Sequence, residues 1–157
     1  MKHNLKLKVD YDLNFILFGI RSEIKDYQFA YFLNKSSFFR FQRMLKDISY
    51  ILNNKKLYFS AFEDMHNDEQ KSCFLIRNKS CYQEEFNDKK SLFDESVEKT
   101  ALLIPELKEF DYLIKLVGIW KKKELLTLTE CLHQIKNAEP HTSINLKKIK
   151  SINNLVF

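Results

Sequence analysis

The 157-residue sequence predicts a single α+β domain, a mainly antiparallel sheet of about six strands with two main helices packed against it. Three observations carry that expectation. From Leu5 to Leu17 every odd position is apolar, which is the period of a strand. Between Glu124 and Asn137, Leu125, Leu128, Leu132 and Ile135 recur at helical spacing, with Thr127, Glu130, Gln134 and Lys136 largely outward. From Phe110 onward the elements read β-α-β, the unit of ferredoxin-like and related α/β sandwiches.

The alternation that starts at Leu5 is long for one strand, so a bend or tight reversal is expected near Asp10–Asp12. Its second half, Phe15–Ile20, is apolar on both faces and should be buried on both, with Gly19 marking a bulge or a close backbone approach. Ser22 is a natural cap for a helix ending at Asn34. That helix carries Ile24, Tyr27, Ala30 and Tyr31 on one face and Phe29, Phe32 and Leu33 on the other, which predicts a second half sandwiched between layers. Ser37–Leu45 alternates around Phe39 and Phe41, and a less regular stretch runs on to Lys56. Leu57–Phe62 and Cys73–Arg77 read as strands joined by the polar loop 63–70. Residues 78–99 are polar without a sustained period and predict a mobile loop with a short helical turn around Ser91–Val97. Thr100–Ile104 reads as a strand stopped by Pro105, whose missing N–H cannot join a ladder, and Phe110–Val117 as the next one. Thr142–Leu146 reads as a last strand, and the apolar Leu155-Val156-Phe157 should be tied down.

Composition removes several chemistries. No run approaches the ~18 apolar residues of a membrane span and no signal-peptide core is evident, so no membrane partner and a cytoplasmic location are expected. With only Gly19 and Gly118, neither a Walker loop nor a dinucleotide fingerprint can be written. Cys73, Cys81 and Cys131 form no Cys-x-x-Cys pair, and His3, His66, His133 and His141 show no metal-ligand spacing, so neither a metal nor another cofactor is expected. His66 lies among Glu63, Asp64, Asp68 and Glu69 but lacks the glycine of a calcium loop, and reads as a solvated hairpin tip. The net charge of +5 is uneven: residues 1–60 carry +6, 61–100 carry −4 and 101–157 carry +3. The chain is also rich in Lys, Asn, Ile and Phe, a bias that an A/T-rich genome imposes, which discounts the lysines as a functional signal.

The most distinctive local pattern is Ile104-Pro105-Glu106, three residues, then Phe110-Asp111-Tyr112. It resembles the signature of the IPExxxVDY family, with Phe110 where the family has Val. Leu7–Leu13, Phe18–Ser22, Lys25–Ala30 and Ile149–Phe157 resemble further blocks of that family, so the likeness covers nearly the whole chain. It implies a small bacterial protein of a group found largely in Bacteroidetes, and it transfers no catalytic residue.

Three functional readings follow. The absence of catalytic motifs, together with abundant aromatic residues, points to a non-enzymatic binding or adaptor protein whose partner is another protein. Two basic stretches, Lys121-Lys122-Lys123 beside Trp120 and Lys147-Lys148-Ile149-Lys150, suit contact with RNA or DNA, since cations next to an aromatic serve single-strand binding. Glu106, Glu109 and Asp111 would suit an enzyme if their carboxylates converge, and a structural turn if they do not.

Overall fold

The computed structural model describes residues 13–66, 70–85, 96–142 and 144–157. Among them, a six-stranded sheet has the order β10-β1-β9-β6-β5-β2, with strands β1 (Phe15–Arg21), β2 (Phe41–Arg43), β5 (Ala61–Asp64), β6 (Lys71–Arg77), β9 (Tyr112–Gly118) and β10 (Glu139–His141). Two further ribbons pair β3 (Ile48–Leu52) with β4 (Lys55–Phe59) and β7 (Lys79–Glu85) with β8 (Ser96–Leu102). All of these pairings are antiparallel. Helices α1 (Asp26–Lys35) and α2 (Lys122–Gln134) complete the α+β architecture. No helix of the described residues is long and apolar enough to cross a membrane.

Strand β9 lies at the centre because its run Tyr112–Leu116 is buried on both faces, and it pairs with β1 on one side and β6 on the other. Its side chains divide the interior into two cores. Tyr112, Ile114 and Leu116 join Phe18, Ile20, Cys73 and Leu75 beneath both helices, where Phe29, Leu33, Leu128 and Leu132 pack. Leu113 faces the other way with Leu17 and Ile76, against Leu57 and Phe59 of the β3–β4 ribbon, the segment Leu103–Leu107, and Ile149 and Leu155. Each fully buried Leu or Phe contributes about 1.5–3 kcal/mol, so the two cores together order every element around β9. Strand β10 runs parallel to β9 with β1 between them, because β1 is antiparallel to both. The β9–α2–β10 unit is therefore a split β-α-β, with the predicted order of elements.

Several elements differ from the sequence expectation. The strand pattern from Leu5 to Asp12 lies outside the described residues. Helix α1 begins at Asp26 rather than near Ser22, and only Phe29, Ala30 and Leu33 are buried. Tyr27, Tyr31 and Phe32 are exposed, so the helix lies on the surface and is not sandwiched. The stretch Lys46–Lys56 forms most of a hairpin whose turn residues Asn53 and Asn54 have φ of 49° and 61°, the paired left-handed geometry of a tight two-residue turn. Leu57–Phe62 divides at Ser60 into β4 and β5, which belong to different sheets. Residues 79–85 and 96–99, expected in a mobile polar loop, join the expected strand residues 100–102 in a ribbon paired along seven positions; the intervening residues 86–95, with most of the expected helical turn, lie outside the described residues. Helix α2 spans 122–134 rather than 124–137: the backbone turns extended at Ile135, and Asn137 beyond it sits at φ 64°. The last strand is Glu139–His141, not Thr142–Leu146, and 3₁₀ turns follow at Leu146–Lys148 and Ile152–Leu155.

Both glycines answer a local demand. A Cβ on Gly19 would lie 2.4 Å from the Phe110 ring, so Gly19 admits a side chain rather than forming a bulge. Gly118 has φ of 88°, and a Cβ there would meet the Gln70 carbonyl oxygen at 2.0 Å.

Candidate interaction surfaces

Ile104–Tyr112 is a joint in which Glu106, Asp111 and Tyr112 are each engaged by groups elsewhere in the molecule. Strand β8 ends at Leu102, two residues earlier than expected, and Pro105 opens a 3₁₀ turn in which the missing N–H costs nothing. The turn is organised by Asn78, which is fully buried between β6 and β7. Its Nδ2 donates to the carbonyls of Leu107 (2.9 Å) and Phe110 (3.0 Å), and its Oδ1 accepts from the Ile104 N–H (2.9 Å). Its backbone N–H donates to the Asp111 carbonyl and its own carbonyl accepts from Leu103 N–H. Sequence reasoning had placed Asn78 in a loop; nothing local distinguishes an amide that will meet a segment 26 residues on.

The signature side chains tie this joint to its surroundings. Asp111 Oδ2 accepts from the Ser22 N–H (2.8 Å) and Oδ1 from the Lys79 ammonium (2.6 Å). Tyr112 is buried, stacks on Phe29 with ring centroids 5.0 Å apart, and donates its hydroxyl to the Ile24 carbonyl. Burial pushes that hydroxyl up to about 12, so it remains a donor at neutral pH. Glu106 accepts from the N–H groups of Lys150 (2.9 Å) and Ser151 (3.1 Å) and from the Ser151 hydroxyl. The Ser151 hydroxyl, followed by these backbone donors, holds its carboxyl below the ordinary value. Ile104, Pro105, Glu106, Asp111 and Tyr112 thus clamp the β1–α1 connection and residues 150–151 onto one turn.

The three carboxylates do not form a group. Glu106 bonds to residues 150–151 and lines a cleft of about 360 Å³ with Glu109, whereas Glu109 and Asp111 line a different, open cleft of about 560 Å³ with Arg21, Glu23 and Glu139. Both Asp111 oxygens are already engaged, and no cluster of three or more His, Cys, Asp or Glu among the described residues could hold a metal ion. A smaller cleft of about 180 Å³ brings together Asp64, His66 and Cys73, a grouping that sequence reasoning missed. His66 Nδ1 lies 3.2 Å from Asp64 Oδ1. Burial, and secondarily Asp64, push the Cys73 thiol well above its ordinary value, which keeps it protonated and opposes a nucleophilic role.

The basic stretches sit on opposite faces of the sheet. Lys121, Lys122 and Lys123 are exposed at the start of α2, which packs on the helix-covered core. Lys147, Lys148 and Lys150 flank Ile149, which is buried in the other core. One nucleic-acid track along a single face does not meet both. Trp120 is half-buried, donates its indole N–H to the Val117 carbonyl (3.0 Å), and has the Lys71 ammonium 5.2 Å from its ring centroid. Lys71 also pairs with Glu124, so this aromatic is already part of a local cluster.

Two apolar surfaces face outward instead. On α1 they are Tyr27, Tyr31 and Phe32. On the β3–β4 hairpin Ile51 is 71% exposed and Tyr58 54%, and Leu45 on the approach to β3 is 105% exposed. Alternation explains the hairpin: Ile48, Leu57 and Phe59 face the core, so Ser49, Ile51, Lys56 and Tyr58 face away. The Asn53-Asn54 pair was the legible signal of this hairpin. No protein-family model matches this sequence, no curated protein matches it, and no solved structure matches its fold.

Proposed function

We propose that this chain is a non-enzymatic binding or adaptor protein whose partner is another protein. The observation that carries the reading is the outer face of the β3–β4 hairpin, where Leu45, Ile51 and Tyr58 stand in water although Ile48, Leu57 and Phe59 on the other face of the same ribbon are buried in the core. A contiguous apolar set with an aromatic member, rimmed by charge, is the composition of a protein-binding surface. Membership of the IPExxxVDY family belongs to the same proposal, supported by the distinct structural task that each signature residue performs. So does a cytoplasmic location, supported by three unpaired cysteines, of which Cys81 is exposed.

Affinity capture on the intact protein, with and without nuclease, tests the reading. Partners retained by the unaltered protein should be polypeptides, should resist nuclease, and should be lost from the Ile51→Glu/Tyr58→Glu variant. Retention that nuclease abolishes, and that reversal of Lys121–Lys123 removes, would instead favour the nucleic-acid reading.

A further inference from the structure

We propose that the outer edge of β3 takes up an extended acidic and aliphatic peptide segment as an added strand; this rests on the protein-binding reading and names the partner's chemistry and mode of docking. The argument begins with the turn. In a hairpin closed by two residues, the flanking pair Leu52 and Lys55 exchange backbone hydrogen bonds, and so do the alternate pairs Tyr50–Leu57 and Ile48–Phe59. The N–H and C=O groups of Ser49 and Ile51 therefore point away from β4. No hydrogen bond to them is found among the described residues.

Two neighbouring edges of the fold each carry a device that blocks pairing. At β2, the Asn34 side chain acts as a surrogate strand, with its Oδ1 accepting from Phe41 N–H (2.7 Å) and its Nδ2 donating to the Phe41 carbonyl (3.0 Å). At β10, Pro140 removes a donor. Strand β3 continues the same chain edge after the connection 44–47 and has neither device. A strand five residues long accommodates an extended peptide of similar length.

Charge chooses the peptide. An open groove of about 540 Å³ beside this edge is lined by Leu45, Lys46, Lys56 and Tyr58, with Arg43 and Asp47 paired to each other at 2.8 Å. Lys46 and Lys56 make no ion pair with a carboxylate among the described residues, although Lys56 lies 5.5 Å from the Tyr58 ring centroid. The groove thus offers two uncompensated cations beside Leu45 and Tyr58, and Ile51 is exposed on the same face of the hairpin. An added strand with carboxylates aligned to those lysines and aliphatic side chains over the apolar residues satisfies both sets, and a basic peptide does not.

The test uses the intact protein and a fluorescent synthetic peptide of about eight residues alternating glutamate and valine, with a lysine–valine counterpart. The acidic peptide should bind, and Lys46→Glu/Lys56→Glu should weaken it by about tenfold or more while conferring binding of the lysine peptide. N-methylation of every second peptide amide should abolish binding in one register and leave it in the other, the mark of strand addition. Equal binding of both peptides, or indifference to N-methylation register, would overturn the proposal. If neither peptide binds but captured proteins still depend on Ile51 and Tyr58, strand addition fails while the protein-binding reading stands; loss of both results overturns both.

Discussion

The joint at Ile104–Tyr112 and the β3–β4 hairpin are built from similar materials and end in opposite states. In the joint, Asn78, Glu106, Asp111 and Tyr112 each bond to a specified group inside the molecule. In the hairpin, the outward backbone groups of Ser49 and Ile51 and the side chains Leu45, Ile51 and Tyr58 meet solvent. The more recognisable sequence pattern is the one that holds the protein together, and the less regular stretch leaves apolar side chains in solvent. A distinctive motif whose polar atoms bond within the molecule is explained by the turn it holds.

Mutation can break or sharpen that contrast. The largest effect is expected from Asn78→Ala, about 3–5 kcal/mol of lost stability in urea unfolding, because three buried backbone groups lose partners at about 1–3 kcal/mol each with partial relaxation. A cost no greater than that of a hairpin variant would break the comparison. Next comes Gly19→Ala, about 1–3 kcal/mol from overpacking against the Phe110 ring. The same substitution should cost less in a Phe110→Val background, since the obstructing ring is gone; a double-mutant cycle with no coupling would refute that contact.

A smaller and pH-dependent effect is expected from Glu106→Gln. The Glu106 carboxyl is held below its ordinary value of 4.5, so its contribution is present above that pH and is lost as pH falls through the folded-state value. Unfolding midpoints followed from neutral pH into acid should therefore fall more steeply for the unaltered protein than for the variant below that point, and parallel curves would count against the Ser151 and Lys150 contacts. The smallest change in stability is expected from Ile51→Glu, within about 0.5 kcal/mol, as for an exposed position without a special backbone role. Its effect should fall on partner capture instead. A large loss of stability there would show that Ile51 belongs to the core after all.

Much of the fold was legible because it depends on local periodicity. The apolar run that became β9 and the leucine spacing of α2 both place burial from sequence alone, and Pro105 correctly marks the end of strand pairing to within two residues. The ribbon β7–β8 was legible only at its end, where Thr100–Ile104 reads as a strand; Lys79–Glu85 and Ser96–Lys99 are mostly polar and pair only because each finds the other alongside. The exposure of Tyr27, Tyr31 and Phe32 was misread for the same reason: an aromatic is assigned to the interior by type, whereas its exposure depends on whether another layer arrives.

By itself the sequence determined the α+β class, the β-α-β order of its second half, and the exclusion of Gly-rich phosphate loops, because each depends on residue types or on spacing within one segment. Tertiary structure alone decided that Asn78 organises the signature, that the lysine stretches lie on opposite faces, and that the edge of β3 is open where that of β2 is closed. Those outcomes depend on which distant groups meet, and the closing of β2 depends on one amide, Asn34, reaching Phe41 across the end of α1.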